Sequence, residues 1–127
     1  MTDKTTQLLR QVHPTFIQNG VATNTLTFRP KESDHGHLSV YDGSMITADR
    51  SHAHYTEILK LKSCGVLAVT VAECDSENLP AESSPLPDFD EHAHIDFNGC
   101  DKKQLRDKSK SLLAFAVERN WLVQLEG

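Results

Sequence analysis

Along this chain the apolar positions change their period several times, and each change marks an element. From Val66 to Cys74 both alternating faces are mostly apolar, which predicts a strand near the middle of a sheet, covered above and below. Leu38-Ser39-Val40-Tyr41 predicts another strand, closed by the Asp42-Gly43 turn pair. Thr25 to Phe28 is alternating and β-branched, a further strand ended by Pro30. His92 to Phe97 alternates strictly, and Trp121, Val123 and Leu125 alternate in a final strand. Leu8, Leu9 and Val12 predict a short N-terminal helix that stops at His13-Pro14, because the residue before proline disfavours helix. Thr47 is an N-cap for a helix to about Lys62, with Ala48, His52, Tyr55, Ile58 and Leu59 turned inward. Asp101 caps a third helix to about Arg119 that buries Leu105, Ser109, Leu112, Leu113 and Ala116. Asn19-Gly20 is a turn.

From Leu38 onward the order is strand, helix, strand, strand, helix, strand, which predicts an α+β class fold with a ferredoxin-like βαββαβ arrangement. The expected domain is single, with a mixed sheet of four to six strands and two main helices on one face. The N-terminal third would lie outside it as an extension. Val66–Cys74 and His92–Phe97 would pair antiparallel, and the Thr25–Phe28 strand would cover the exposed edge. Between the paired strands, Asp75 to Asp90 holds Pro80, Pro85 and Pro87 among acids and serines, and reads as a long exposed loop.

A length of 127 residues suffices for one core without disulfide or metal staples. The net charge of -5 and pI near 5.7 disfavour a nucleic-acid platform, which needs a basic patch. Lys102, Lys103, Arg106, Lys108 and Lys110 are interrupted by Asp101 and Asp107, and read as the wet face of the third helix. No signal-peptide core or membrane-length apolar run is present, and Cys64, Cys74 and Cys100 lack CxxC spacing. A cytoplasmic protein with free thiols and no membrane partner is expected. The acids Asp75, Glu77, Glu82, Asp88 and Asp90 of the long loop would steer a basic protein partner.

The clearest candidate for chemistry is His92-Ala93-His94-Ile95-Asp96-Phe97. On a strand, His92, His94 and Asp96 share one face, a ligand set suited to zinc or iron. The spacing resembles the first metal motif of metallo-β-lactamase-like hydrolases over six residues. That pattern has a further His where this chain has Phe97, so the resemblance implies a local metal site rather than the family's fold. His35 and His37 flank Gly36 in a polar loop. His52 and His54 sit ~200° apart around a helix and cannot chelate one ion together.

Glu73, at the end of the Val66–Cys74 strand and on its apolar parity, is a candidate acid or base with a raised pKa, and His92 is a second. Arg10, His13, Arg29, Ser39 and Tyr41 form a looser set. Arg10 or Arg29, Ser39 and Glu73 resemble the Arg, Ser and Glu roles of ADP-ribosyltransferase-like enzymes, although the Ser-Thr-Ser strand and Glu-x-Glu loop are missing. That resemblance implies an NAD-using alternative.

His13-Pro14-Thr15-Phe16-Ile17, Thr27-Phe28-Arg29-Pro30, Leu38 to Gly43, Val69 to Cys74 and Arg119 to Leu122 together resemble a group of small uncharacterised bacterial proteins. The likeness spans most of the chain and implies one intact domain of prokaryotic origin, but no activity. Size, acidity and the lack of a Gly-rich phosphate loop or nucleophile elbow favour a non-catalytic binding or accessory protein. Its partner would be larger, in a setting such as a toxin or defence system, with no cofactor. A zinc-dependent hydrolase using His92, His94 and Asp96 is the alternative.

Overall fold

Leu8 and Leu9 are neighbours in the chain, yet both are buried, and in different apolar clusters. A strand covered on both faces does this, since successive side chains point to opposite sides. In the computed structural model, which describes residues 1–125, the expected N-terminal helix is therefore strand β1 (Gln7–Gln11). The spacing of Leu8, Leu9 and Val12 suits either element. The ladder to its neighbours decides for the strand.

Next come a small hairpin, β2 (Ile17–Gln18) and β3 (Val21–Ala22), and then β4 (His37–Asp42). The Asn19-Gly20 turn closes the hairpin with φ of 52° and 77°, a conformation glycine adopts without strain. Helix α1 (Ala48–Ala53) runs into a π-helical turn (His54–Ile58), followed by β5 (Gly65–Thr70) and α2 (Val71–Ser76). The rest is β6 (Ala81–Ser83), β7 (His92–Asp96), α3 (Lys102–Arg119) and β8 (Val123–Gln124).

The main sheet has six strands in the order β6-β7-β4-β1-β5-β8, and every pairing is antiparallel. The fold is α+β in a single domain, but neither the mixed sheet nor the ferredoxin-like order is present. β5 and β7 do not pair, because β1 and β4 lie between them. The N-terminal segment, expected outside the sheet, occupies its centre. There it buries an apolar residue on each face.

The strand predicted to continue to Cys74 stops at Thr70. Thr70 and Glu73 form a reciprocal capping box that starts α2 instead: Glu73 N–H donates to Thr70 Oγ1 at 3.1 Å and Thr70 N–H to Glu73 Oε1 at 2.8 Å. Thr25–Phe28 is a 3-10 turn rather than a strand. The Asn24 side chain accepts the Leu26 N–H at 2.9 Å and bends the chain, tucking Phe28 beneath α3. The Asp75–Asp90 segment is not wholly exposed. Leu79 and Ala81 are buried, and β6 pairs with β7.

α3 keeps its predicted boundaries, capped by Asp101 with Gln104 in return, and buries Ser109, Leu112, Leu113 and Ala116 against Leu8, Leu38, Leu67 and Ile95. α1 lies on the other face, over Leu9, Val66 and Ala68. The two helices are thus on opposite faces, as a doubly apolar β5 requires. Gly65 lets β8 approach β5 closely, since a Cβ there would meet the Val123 carbonyl and come within 2.9 Å of the Trp121 ring. No helix among the described residues is long and apolar enough to cross a membrane.

Burial of Leu8 and Leu9 on opposite faces predicts that Leu8→Ala and Leu9→Ala each destabilise by about 2–5 kcal/mol in urea unfolding. A loss well under about 1 kcal/mol for either substitution would contradict burial on both faces.

Candidate active site

α1 contacts β1, β5 and β8 but is too short to reach across the whole sheet. The half of that face built by β4 and β7 is therefore left open. His92, His94 and Asp96 stand on it as the alternation predicts, opposite Tyr41, Ser39 and His37 respectively. A cleft of about 370 Å³ opens where the covered and open halves meet. Arg10, Ser39, Tyr41, Tyr55, Phe89 and His92 line it, and Leu59, Leu61 and Leu86 form an apolar rim.

Arg10 explains why the cleft exists. β1 and β4 are in register only at Leu8↔Asp42 and Leu9↔Tyr41. Beyond that point the half-buried guanidinium stands in for the ladder, its Nε donating to the Thr27 carbonyl at 2.8 Å and its Nη1 to the Ser39 carbonyl at 2.9 Å. Two of the five guanidinium N–H groups are used in this way, and the other three have no protein acceptor among the described residues. Desolvation lowers the Arg10 pKa while Tyr55 and Asp34 oppose that shift. An arginine stays charged regardless.

Beside it, His92 Nε2 lies 3.1 Å from Ser39 Oγ. The other ring nitrogen, Nδ1, lies 2.8 Å from the Ser84 carbonyl and 2.9 Å from Ser84 Oγ. A carbonyl can only accept, so Nδ1 carries the proton toward it and Nε2 presents a lone pair to the Ser39 hydroxyl. Phe89 packs edge-on to the His92 ring at 5.2 Å and holds its plane. A hydroxyl, a ring nitrogen with a free lone pair and an orienting carbonyl therefore follow one another within hydrogen-bond reach, the order that a nucleophile and its base would require.

The π-helical turn completes the wall. Its wider hydrogen bond, Leu59 N–H to His54 carbonyl at 3.0 Å, sends His54 to Tyr41 and Tyr55 into the cleft. The Tyr41 hydroxyl and His54 Nδ1 are hydrogen-bonded at 2.7 Å. Burial, with Tyr55 and Glu91 nearby, pushes the phenol pKa well up, so it keeps its proton. The same turn leaves Ile58 and Leu59 exposed instead of inward as predicted. His52 turns to the Ser63 carbonyl at 3.1 Å, away from His54, as helical spacing demands.

The proposed zinc ligands share a face but are individually engaged. His92 bonds both serines, His94 stacks on His37 with centroids 4.0 Å apart, and Asp96 Oδ1 accepts the Asn98 N–H at 2.8 Å. Among the described residues no three His, Cys, Asp or Glu side chains are grouped to hold one ion.

Glu73 is elsewhere, on α2. It meets Arg119 in a two-pronged pair, Nη1 to Oε1 and Nη2 to Oε2 each at 2.9 Å. Burial raises its pKa, but the Arg119 and Thr70 hydrogen bonds outweigh it, and the carboxyl sits below its ordinary range, opposite to the raised value expected. The Arg119 guanidinium also takes the Ala68 carbonyl at 2.9 Å, beyond the two β5 residues that β8 covers. Glu73 with Arg119 is a structural tie. Of the looser set, Arg10, Ser39 and Tyr41 meet in the cleft. His13 caps the Pro14–Phe16 turn, and Arg29 lines a different cavity.

Comparison of the chain with protein-family models, curated proteins and solved structures finds no match. Function in this chain is therefore to be read from the geometry and chemistry of the site itself.

The histidine stack has a pH signature. Burial, then the neighbouring His37, depress the His94 pKa below 6.5, against the pull of Glu82 and Asp96. The unfolded chain thus takes up the proton first as pH falls. The stability contributed by neutral His94 is present above pH 6.5 and lost on acidification toward the native pKa. Thermal unfolding from pH 7.5 down to pH 5 should show a shallower loss of Tm in His94→Gln than in wild type. Parallel curves would contradict the coupling.

Proposed function

We propose that this protein is a small serine hydrolase acting on esters that carry an anionic group. The single observation that supports this most is the Ser39–His92–Ser84 chain, 3.1 Å and then 2.8 Å, at the wall of a cleft beside Arg10. Ser39 Oγ adds to the ester carbonyl carbon as its proton passes to His92 Nε2. The alcohol oxygen takes that proton as its bond to carbon breaks, leaving an acyl group on Ser39. A water deprotonated by the same nitrogen then hydrolyses the acyl-serine and restores the hydroxyl. The unused Arg10 N–H groups supply positive charge for the substrate's anion or for the developing oxyanion. The apolar rim takes the acyl or aryl body.

A second reading, an accessory protein acting with a larger partner, is favoured by the exposed side chains around the cleft mouth. Leu59, Leu61 and Leu86 stand at the rim, and nearby Ile58 is 69% exposed. In that case the cleft would accept a side chain of the partner rather than a substrate. A prokaryotic toxin or defence setting belongs to this reading. Both readings suit the cytoplasm, where the free thiols of Cys64, Cys74 and Cys100 would persist.

The hydrolase reading predicts that an alkyl fluorophosphonate adds one covalent group, mapped to Ser39 by intact-mass and peptide spectrometry. Ser39→Ala should take none, and His92→Gln should react more slowly by about 10²-fold or more. Folded wild-type protein that gains no adduct would remove the hydrolase reading and leave the accessory one.

A further inference from the structure

A second cavity, of about 540 Å³, lies next to the first and is larger. Phe16, Leu26, Phe97 and Leu105 give it apolar walls, and Arg10, Arg29, Lys31 and Lys102 bring positive charge to it, against one lining acid, Glu32. Such a concentration of cations is unexpected on a chain with 18 acidic and 13 basic residues. None of the four cations is within salt-bridge distance of a carboxylate among the described residues, where the ion pairs are Lys4–Asp75, Arg106–Asp107 and Arg119–Glu73. Arg29 is the most telling. It is partly exposed at the cavity, and its guanidinium forms no ion pair among the described residues. A cavity that gathers four cations beside apolar walls, none of them paired with a carboxylate, is set up for an anion from outside.

We propose that this cavity binds a small organic phosphate, a phosphomonoester with an aromatic or alkyl body. The phosphate dianion meets Arg29 and Lys102, which approach from the Thr25–Phe28 turn and from the start of α3. The body lies against Phe16, Phe97 and Leu105. The volume is within the range of small-molecule sites. Arg10 borders both cavities, so the phosphate site shares one wall with the Ser39–His92 cleft without depending on the chemistry proposed there.

Phenyl phosphate is the probe, with phenol and inorganic phosphate as its two halves, using isothermal titration calorimetry and thermal unfolding of the full chain. Wild type should bind one phenyl phosphate with a rise in Tm, inorganic phosphate more weakly, and phenol not measurably. Arg29→Ala with Lys102→Ala, two partly or fully exposed side chains whose loss leaves the core intact, should keep the unliganded Tm and weaken binding by about tenfold or more. Ser39→Ala should bind as wild type does, which separates this site from the hydrolase cleft. No binding by folded wild type, or equal binding by the Arg29/Lys102 double variant, would overturn the proposal. So would phenol binding as well as phenyl phosphate.

Discussion

The wedge made by Arg10 between β1 and β4 is the constraint on which the functional half of this molecule depends. A continued ladder would place β1 backbone groups against the Ser39 carbonyl. Instead a guanidinium takes that carbonyl together with Thr27's, so the strands can part without leaving polar groups unpaired. The parting opens the cleft on one side, borders the second cavity on the other, and ties Ser39 to a fixed cation. It also anchors the Thr25–Phe28 turn, whose Phe28 lies under α3. One side chain thus joins the sheet, the turn and both cavities.

The remaining architecture follows from the two apolar faces of β5. Burying both needs a cover on each side, and the chain supplies α3 for one and the much shorter α1 for the other. The mismatch in length leaves the β4 and β7 half of one face uncovered. Polar side chains can therefore stand there at strand spacing. The site is in this sense a consequence of a helix that ends early and turns into a π-helical segment, which brings Tyr55 to the cleft.

Local order was legible in the residues wherever a cap and a period agreed. α3 has both the Asp101–Gln104 box and an inward stripe at helical spacing broken only by Ser109, and β7 has strict alternation, so both have the predicted type and nearly the predicted bounds. β1 has no such agreement. The Thr70-x-x-Glu73 pattern that ends β5 was present in the chain but sits inside an apolar run that reads equally well as strand. The strand order was not legible, because it depends on which segment takes the central slot, and no local period encodes that. The site was legible in pieces. Arg10, Ser39, Tyr41 and His92 are all reactive residue types on predicted elements, but Ser39 meets His92 diagonally across a pairing that puts His94 opposite Ser39. The Ser84 carbonyl that orients His92 belongs to a segment that reads as loop, and a backbone carbonyl has no signature in the sequence at all.

The central claim is that His92 can accept a proton from Ser39, and the imidazole tautomer tests it most directly. Long-range proton–nitrogen correlation NMR on histidine-labelled protein, at alkaline pH where imidazoles are neutral, assigns the proton to one ring nitrogen. The Ser84 carbonyl requires it on Nδ1, with Nε2 bare and facing Ser39. A His92 ring found instead with its proton on Nε2 would be donating to the serine, could not serve as its base, and would contradict the claim.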